Sequence, residues 1–302
     1  MVNRHVDWAT RAFDLLPVAP HTGPFPRRRF LEALWNHSPT GELWLAETAS
    51  ALVPLVLGET GLQWVGHPDL VDYRSPLGEG GADLIAALLA TSATGLHYRF
   101  DSLPEEAADV VGRGLELAGL STRPEQHAVA AQLQLPDSFD EYLQRIGKKE
   151  RHEIRRKRRR FREEHGPPML ITTRGAGEGF EQFVRIHRSS GGTKGRFMTS
   201  GMEEWFASLA EQEGWRVDLL CGGDDQPVAA TFAWADVDGL YLYNSAFDRE
   251  SGGSPGIVML SMLIEQAIQS SCPMVDFLKG EEPYKFRLGA APRPLYRFEG
   301  ST

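Results

Sequence analysis

Residues Ala246–Gly289 read AFDRESGGSPGIVMLSMLIEQAIQSSCPMVDFLKGEEPYKFRLG, and the punctuation of this stretch decides the fold. A strand runs into Phe247. A Gly-rich loop follows, and a helix starts at Ser254-Pro255-Gly256, with Ser as N-cap and Pro in the first turn. Ile257, Leu260, Ile264 and Ile268 recur at helical spacing, which predicts the buried side of that helix. A second strand ends in Asp276-Phe277-Leu278-Lys279-Gly280, and a short helix carries Tyr284-Lys285-Phe286-Arg287. The unpaired N–H groups and dipole of a helix start at the mouth of a sheet favour a phosphate there, with Gly256 allowing close approach. The plain alternative is a well-capped structural helix.

Working outward, strands are expected at Trp215–Cys221, Val228–Trp234, Leu240–Tyr243, Met274–Leu278 and Pro294–Phe298. Helices are expected at about 255–270 and 282–288. The first half follows the same rhythm. It has strands at Glu42–Glu47, Ala51–Leu57, Leu62–Gly66, Leu96–Phe100 and Ala128–Leu135, and helices at about 80–91 and 104–118. Both halves therefore read β-β-β-α-β-α-β, an internal duplication. An earlier helix opens at Pro26-Arg27. Three segments result: a first α/β module over 1–136, a helical insert over 137–213, and a second α/β module over 214–302.

The insert holds the strongest charge asymmetry. Arg145–Glu164 contains eleven Lys/Arg and four Glu, a local balance of +7 in a chain of net −9, so the remainder carries −16. Ile154, Arg158 and Phe161 share one helical face, and most other positions are cationic. Such a helix repels itself, and an anionic partner relieves that. Three readings stand: a phosphate-binding wall of the site, with His152 and Arg156 among its ligands; a tRNA-backbone contact; or a solvated connector. No interleaved aromatics are present to stack bases.

These motifs resemble the GNAT superfamily of acyltransferases, and most closely its CelD-like acetyltransferases and the related Fem-type aminoacyl-tRNA-dependent transferases. The RHEIRRKRRR run beginning at Arg151 is similar to a helix of the CelD-like family, and Tyr284-Lys285-Phe286 to the lysine motif of Fem-type enzymes. The resemblance covers most of residues 40–298 and implies tandem GNAT-like modules, mixed and mostly antiparallel sheets flanked by helices. It also implies an acyl-CoA donor, acetyl-CoA first, with its pyrophosphate at Ser254, Pro255 and Gly256 and its thioester arm along Ser245, Ala246 and Phe247. The usual Q/R-x-x-G-x-G/A loop is absent, replaced by Arg249–Gly256, which leaves a charged tRNA as the alternative donor.

The same resemblance implies an amine of a small molecule or peptide as the acceptor. Amine acylation needs a base, oxyanion donors and an acid for the leaving group. Tyr284, Lys285, Glu281 (or Glu282) and Asp276 are the candidates, with Asp276 orienting a lysine or merely ending a strand. Asp72 and Tyr73, by resemblance, and Tyr243, Asn244 and Arg287, by position, are acceptor contacts; each has a structural alternative. His187, Arg188 and Lys194–Arg196 offer further donors. A third reading is an anion- or nucleic-acid-binding protein without catalysis on the same scaffold.

Composition narrows the rest. Apolar content of 41% and charged content of 24% over 302 residues describe an ordinary globular protein. No apolar run approaches the roughly 18–20 residues of a membrane helix, and no secretory h-region is seen near the start. Cys221 and Cys272 stand alone, so neither a metal site nor a disulfide is expected and a cytoplasmic setting fits. Gly191–Gly195 does not fit a P-loop.

Overall fold

The computed structural model describes residues 3–121 and 123–302, which form twelve strands and eleven helices. In chain order these are β1 (Asn3–His5), α1 (Ala12–Leu15), α2 (Arg28–His37), β2 (Glu42–Glu47), β3 (Leu52–Gly58), β4 (Gly61–Trp64), α3 (Gly81–Ala90), β5 (His97–Leu103), α4 (Glu105–Leu117) and β6 (Glu125–Gln134). There follow α5 (Phe139–Arg145), α6 (Lys148–His165), β7 (Met169–Thr173), α7 (Glu178–Ser189), α8 (Gly192–Phe197), α9 (Ser200–Ala210), β8 (Trp215–Cys221) and β9 (Pro227–Ala235). The chain closes with β10 (Leu240–Phe247), α10 (Pro255–Gln269), β11 (Met274–Lys279), α11 (Pro283–Arg287) and β12 (Ala291–Ser301).

The chain divides into two compact units. One comprises the residues up to Ala130 together with Arg293–Thr302, the other Ala131–Pro292. This grouping differs from the three sequence segments, for two reasons. The insert is not a separate body, because Ile154 and Phe161 of α6 join one core with Val258, Leu263 and Ile264 of α10. The last strand also leaves its own module: β12 pairs antiparallel with β5 through Tyr296↔Leu103 to Ser301↔His97.

The duplication is visible as matching strand orders. The first unit runs β1-β2-β3-β4-β5-β12, and the second runs β7-β8-β9-β10-β11-β6. Each half of the sequence thus gives away its final strand. Each set also contains one sparse parallel contact, β4–β5 at Leu62↔Tyr98 and Gln63↔Arg99, and β10–β11 at Leu240↔Val275 and Tyr241↔Asp276. At or just past each contact lie a buried aspartate and a left-handed non-glycine residue: Asp101 with Ser102 (φ 57°), and Asp276 with Leu278 (φ 59°).

The first unit's core is built on α3, α4 and the inward faces of β2–β5, with Trp64, Tyr98 and Phe100 buried. Here the gap between β4 and β5 is filled by the chain itself. Arg74 N–H donates to Ser102 O at 2.9 Å, and the Arg74 guanidinium pairs with Asp101 at 3.2 Å, both side chains being nearly inaccessible. Tyr73 is fully buried against Phe25, with the Arg293 guanidinium over its ring. The expected acceptor contact at Tyr73 is therefore corrected: it is a core residue. Asp72 beside it is half-buried.

Candidate functional site

The second unit holds the opposite arrangement, an open fork. β10 stays paired with β9 as far as Phe247↔Ala229, with a bulge at Tyr243 that shifts the register between Leu242 and Asn244. On its other side it meets β11 only at Leu240 and Tyr241. From Asn244 to Phe247 that edge has no strand partner among the described residues. Strand N–H and C=O groups left in this way seek a partner. The edge leads to α10, so the predicted donor residues Ser245, Ala246 and Phe247 line one arm of the fork.

α10 is more buried than a one-sided helix. Val258, Met259, Leu260, Leu263, Ile264, Ala267 and Ile268 are all inaccessible, whereas Ile257 is only half-buried. Its start corrects two expectations. Ser254 is not a conventional N-cap: it lies in the left-handed region (φ 57°, ψ 53°) and its side chain makes no capping bond. Gly256 does admit a close neighbour, but that neighbour is Phe247. A Cβ on Gly256 would lie 3.0 Å from the Phe247 ring. Gly253 is likewise packed, with His165 and Phe161 of α6 within 3.1–3.3 Å of where its Cβ would stand. The Glu164 carboxylate, paired to Arg160 at 2.6 Å, lies against Gly252 and accepts the Gly253 N–H. The C-terminal end of α6 thus braces the loop before α10.

His152 and Arg156 do not share in this. They lie on the exposed side of α6, and at 1.5 Å per residue they are about 18 and 12 Å back along the axis from Glu164. Arg156 is held by Glu153 through two hydrogen bonds of 3.1 and 2.8 Å.

The other arm of the fork is β11 and its turn into α11. Asp276 is fully buried; it accepts Gln132 Nε2–H at 2.9 Å and the Leu278 N–H at 2.7 Å, fixing the left-handed Leu278. Lys285 is the surprise. It is buried at 3% exposure, and its ammonium donates to the carbonyls of Leu278 (3.2 Å), Lys279 (2.9 Å) and Gly280 (3.2 Å) and pairs with Glu282 at 2.9 Å. Three N–H donors and a charge are thus fully used. Gly280 is required by its φ of 123° and by Glu282, whose carboxylate lies where a Cβ would be. Desolvation pushes the Glu282 carboxyl up, but the Lys285 hydrogen bond and charge outweigh it and hold the group below the usual range.

Tyr284 is the group on α11 left facing outward, 36% exposed, and burial at its hydroxyl raises its pKa to about 12. Glu281 and Arg287 are exposed and make no ion pair among the described residues.

One of the further donors named in the insert, His187, joins the fork from α7. His187, 1% exposed, places Nε2 3.1 Å from Asn244 Oδ1 at the bulge. Burial drives its pKa down to about 4, and the nearby Lys194 charge acts the same way, against the Asn244 hydrogen bond. Lys194 is half-buried, and its own pKa is lowered by burial and by Arg249, with Glu282 opposing. Tyr243, by contrast, packs against Trp205, Phe206 and Trp215 at 5.4–6.1 Å, which makes it part of an aromatic core. The site is therefore Asn244–Phe247, the start of α10, Tyr284, Glu281 and Glu282, with His187 and Lys285 behind it. The thiols are free, and no metal-ligand cluster occurs among the described residues.

Family comparison points to the same part of the chain. Residues 148–286, just under half of the chain, match the model of the GNAT acetyltransferase domain. The fold as a whole is similar to a Fem-type one. FemX superposes with a TM-score of 0.63 at 11% identity, over 100% of this chain and 97% of its own. A conserved protein of unknown function from Bacteroides thetaiotaomicron VPI-5482 gives 0.69 at 12% identity, over 99% of both chains. The C-terminal domain of a putative lysylphosphatidylglycerol synthetase from Agrobacterium fabrum gives 0.59 at 10% identity, over 89% and 86%. No curated protein sequence matches significantly. No described helix is long and apolar enough to cross a membrane.

Proposed function

We propose that this protein transfers an acyl group, acetyl first, from an acyl-CoA thioester to an amine of a small molecule or peptide. The open edge of β10 beside its bulge carries this reading. A pantetheine arm is a chain of amides that can complete that edge as a strand would, bringing its pyrophosphate to the start of α10. The attacking amine then meets the thioester between Asn244 and Tyr284. The C–N bond forms as the carbonyl becomes an oxyanion beside strand N–H groups. The C–S bond then breaks, and the thiolate takes the Tyr284 proton.

Glu281, unpaired and exposed, takes the amine proton through water, because Glu282 is committed to Lys285. Lys285 acts as a positioning residue that holds the β11 turn away from β10. The filled gap in the first unit supports one donor per chain. Fem-type neighbours keep an aminoacyl-tRNA donor as a second reading, since the loop before α10 lacks the usual GNAT pattern.

Calorimetry with acetyl-CoA, and with charged and uncharged tRNA in parallel, tests the choice. Micromolar acetyl-CoA binding at one site, weakened at least tenfold in Gly256→Val, supports the first reading. Salt-sensitive binding of charged tRNA without coenzyme A binding replaces it with the second.

A further inference from the structure

The inward side of α6 is packed into the core. Ile154 and Phe161 are buried, and Arg158 donates to Ser261 at 2.9 Å and Glu265 at 2.7 Å with its guanidinium over Phe139. The flanks are neutralised by Arg156–Glu153 and Arg160–Glu164. The outward ridge is not. Lys148, Arg151, Arg155, Arg159 and Arg162 recur every three or four residues, so they fall within an arc of about 80° and form a row about 21 Å long, four of them exposed and Arg151 half-buried at its edge. Lys148, Arg151, Arg155 and Arg162 have no ion pair among the described residues, and Arg159 only a loose, exposed one to Glu163 at 3.8 Å. The close ion pairs of α6 thus lie beside the row, and the row keeps only the loose Arg159–Glu163 contact, in a chain whose remainder carries −16.

The row fits a flat anion better than a curved one. It lies on the convex ridge of a straight helix, with no groove to take a duplex. It carries no aromatic to stack a base and no Asn, Gln, Ser or Thr to read a base edge or a sugar hydroxyl. It has no apolar residue to insert into a bilayer. A plane of phosphate head groups touches all five cations at once.

We propose that α6 docks this protein reversibly on anionic phospholipid surfaces by charge alone, with the row Lys148–Arg162 lying flat on the head groups. Such binding contributes a factor of about five per cation near the surface and decays within a Debye length. The net negative remainder keeps contact confined to this ridge.

The test is co-sedimentation of the full chain with vesicles of phosphatidylcholine, with and without about one-third phosphatidylglycerol. Binding is expected only to the anionic vesicles, at low salt, and is lost near 0.5 M salt, where the Debye length falls to about 4 Å. Arg151→Gln/Arg155→Gln/Arg162→Gln should bind about a hundredfold more weakly. Arg11→Gln/Arg113→Gln/Arg123→Gln, of equal net charge, should bind within twofold of the parent. Thermal melts confirm that both triples are folded. Equal loss in both triples, salt-resistant binding, equal binding to neutral vesicles, or binding to duplex RNA but not to vesicles overturns the proposal. None of these outcomes depends on acyl transfer, so it fails or stands apart from the catalytic reading.

Discussion

Replacing His187 with Gln should flatten the acid sensitivity of the fold. His187 is held neutral: burial takes its pKa from 6.5 to about 4. The unfolded chain therefore binds a proton at this residue as the pH falls below 6.5, and the folded chain does not do so until about pH 4. The depressed pKa contributes stability that is present above 6.5 and is lost as the pH falls through this window. From the two pKa values the loss between pH 7 and 4.5 is about 2 kcal/mol. A glutamine keeps an amide opposite Asn244 and removes the titration. Chemical denaturation of both proteins at pH 7 and 4.5 gives the comparison, because all other titrating groups cancel in the difference. The parent should lose about 2 kcal/mol more than the variant. Equal losses, or a directly measured His187 pKa near 6.5, would refute the account of this buried pair.

Tyr284→Phe should lower the acyl-transfer rate about a hundredfold with little change in acetyl-CoA affinity. With a pKa near 12, the phenol gives the parent no alkaline fall in rate below about pH 10. Lys285→Met leaves three carbonyls and Glu282 without their cation and should destabilise the fold by about 3 kcal/mol in urea melts. A purely catalytic lysine would instead leave the melt unchanged. Phe161→Ala removes the ring under Gly253 and should cost about 3–4 kcal/mol. It should also weaken acetyl-CoA binding through the loosened loop, which calorimetry would read.

Much of this was legible before the structure. Trp215–Cys221 reads as a strand because Trp215, Val217, Leu219 and Cys221 recur at every second position, and Pro255 marks the start of α10 because its ring suits a first turn. β7 escaped because a five-residue edge strand whose apolar residues are consecutive, MLITT, carries no alternation. Lys285 reads in sequence as a catalytic lysine, whereas the structure buries it and pairs its ammonium with three carbonyls and Glu282. Its carbonyl acceptors converge only because Leu278 and Gly280 adopt positive φ, which no pattern of residue types displays. Ser254 has the composition of a cap and the backbone of a turn. Phe247 against Gly256, and His187 against Asn244, are meetings of distant elements, invisible to spacing along one helix or strand.

The exchanged last strands have a consequence for how the chain is made. β5 finds its neighbour in residues synthesised only after all of Ala131–Pro292 has emerged. At ribosomal speeds of about 5–20 residues per second, the first unit waits roughly ten to thirty seconds with the His97–Leu103 edge bare. Tyr98 and Phe100 lie on that edge, so the nascent chain offers an apolar strand to any passing partner throughout that interval. Nascent-chain shielding by a chaperone should therefore matter more for this protein than for one whose first half closes on itself.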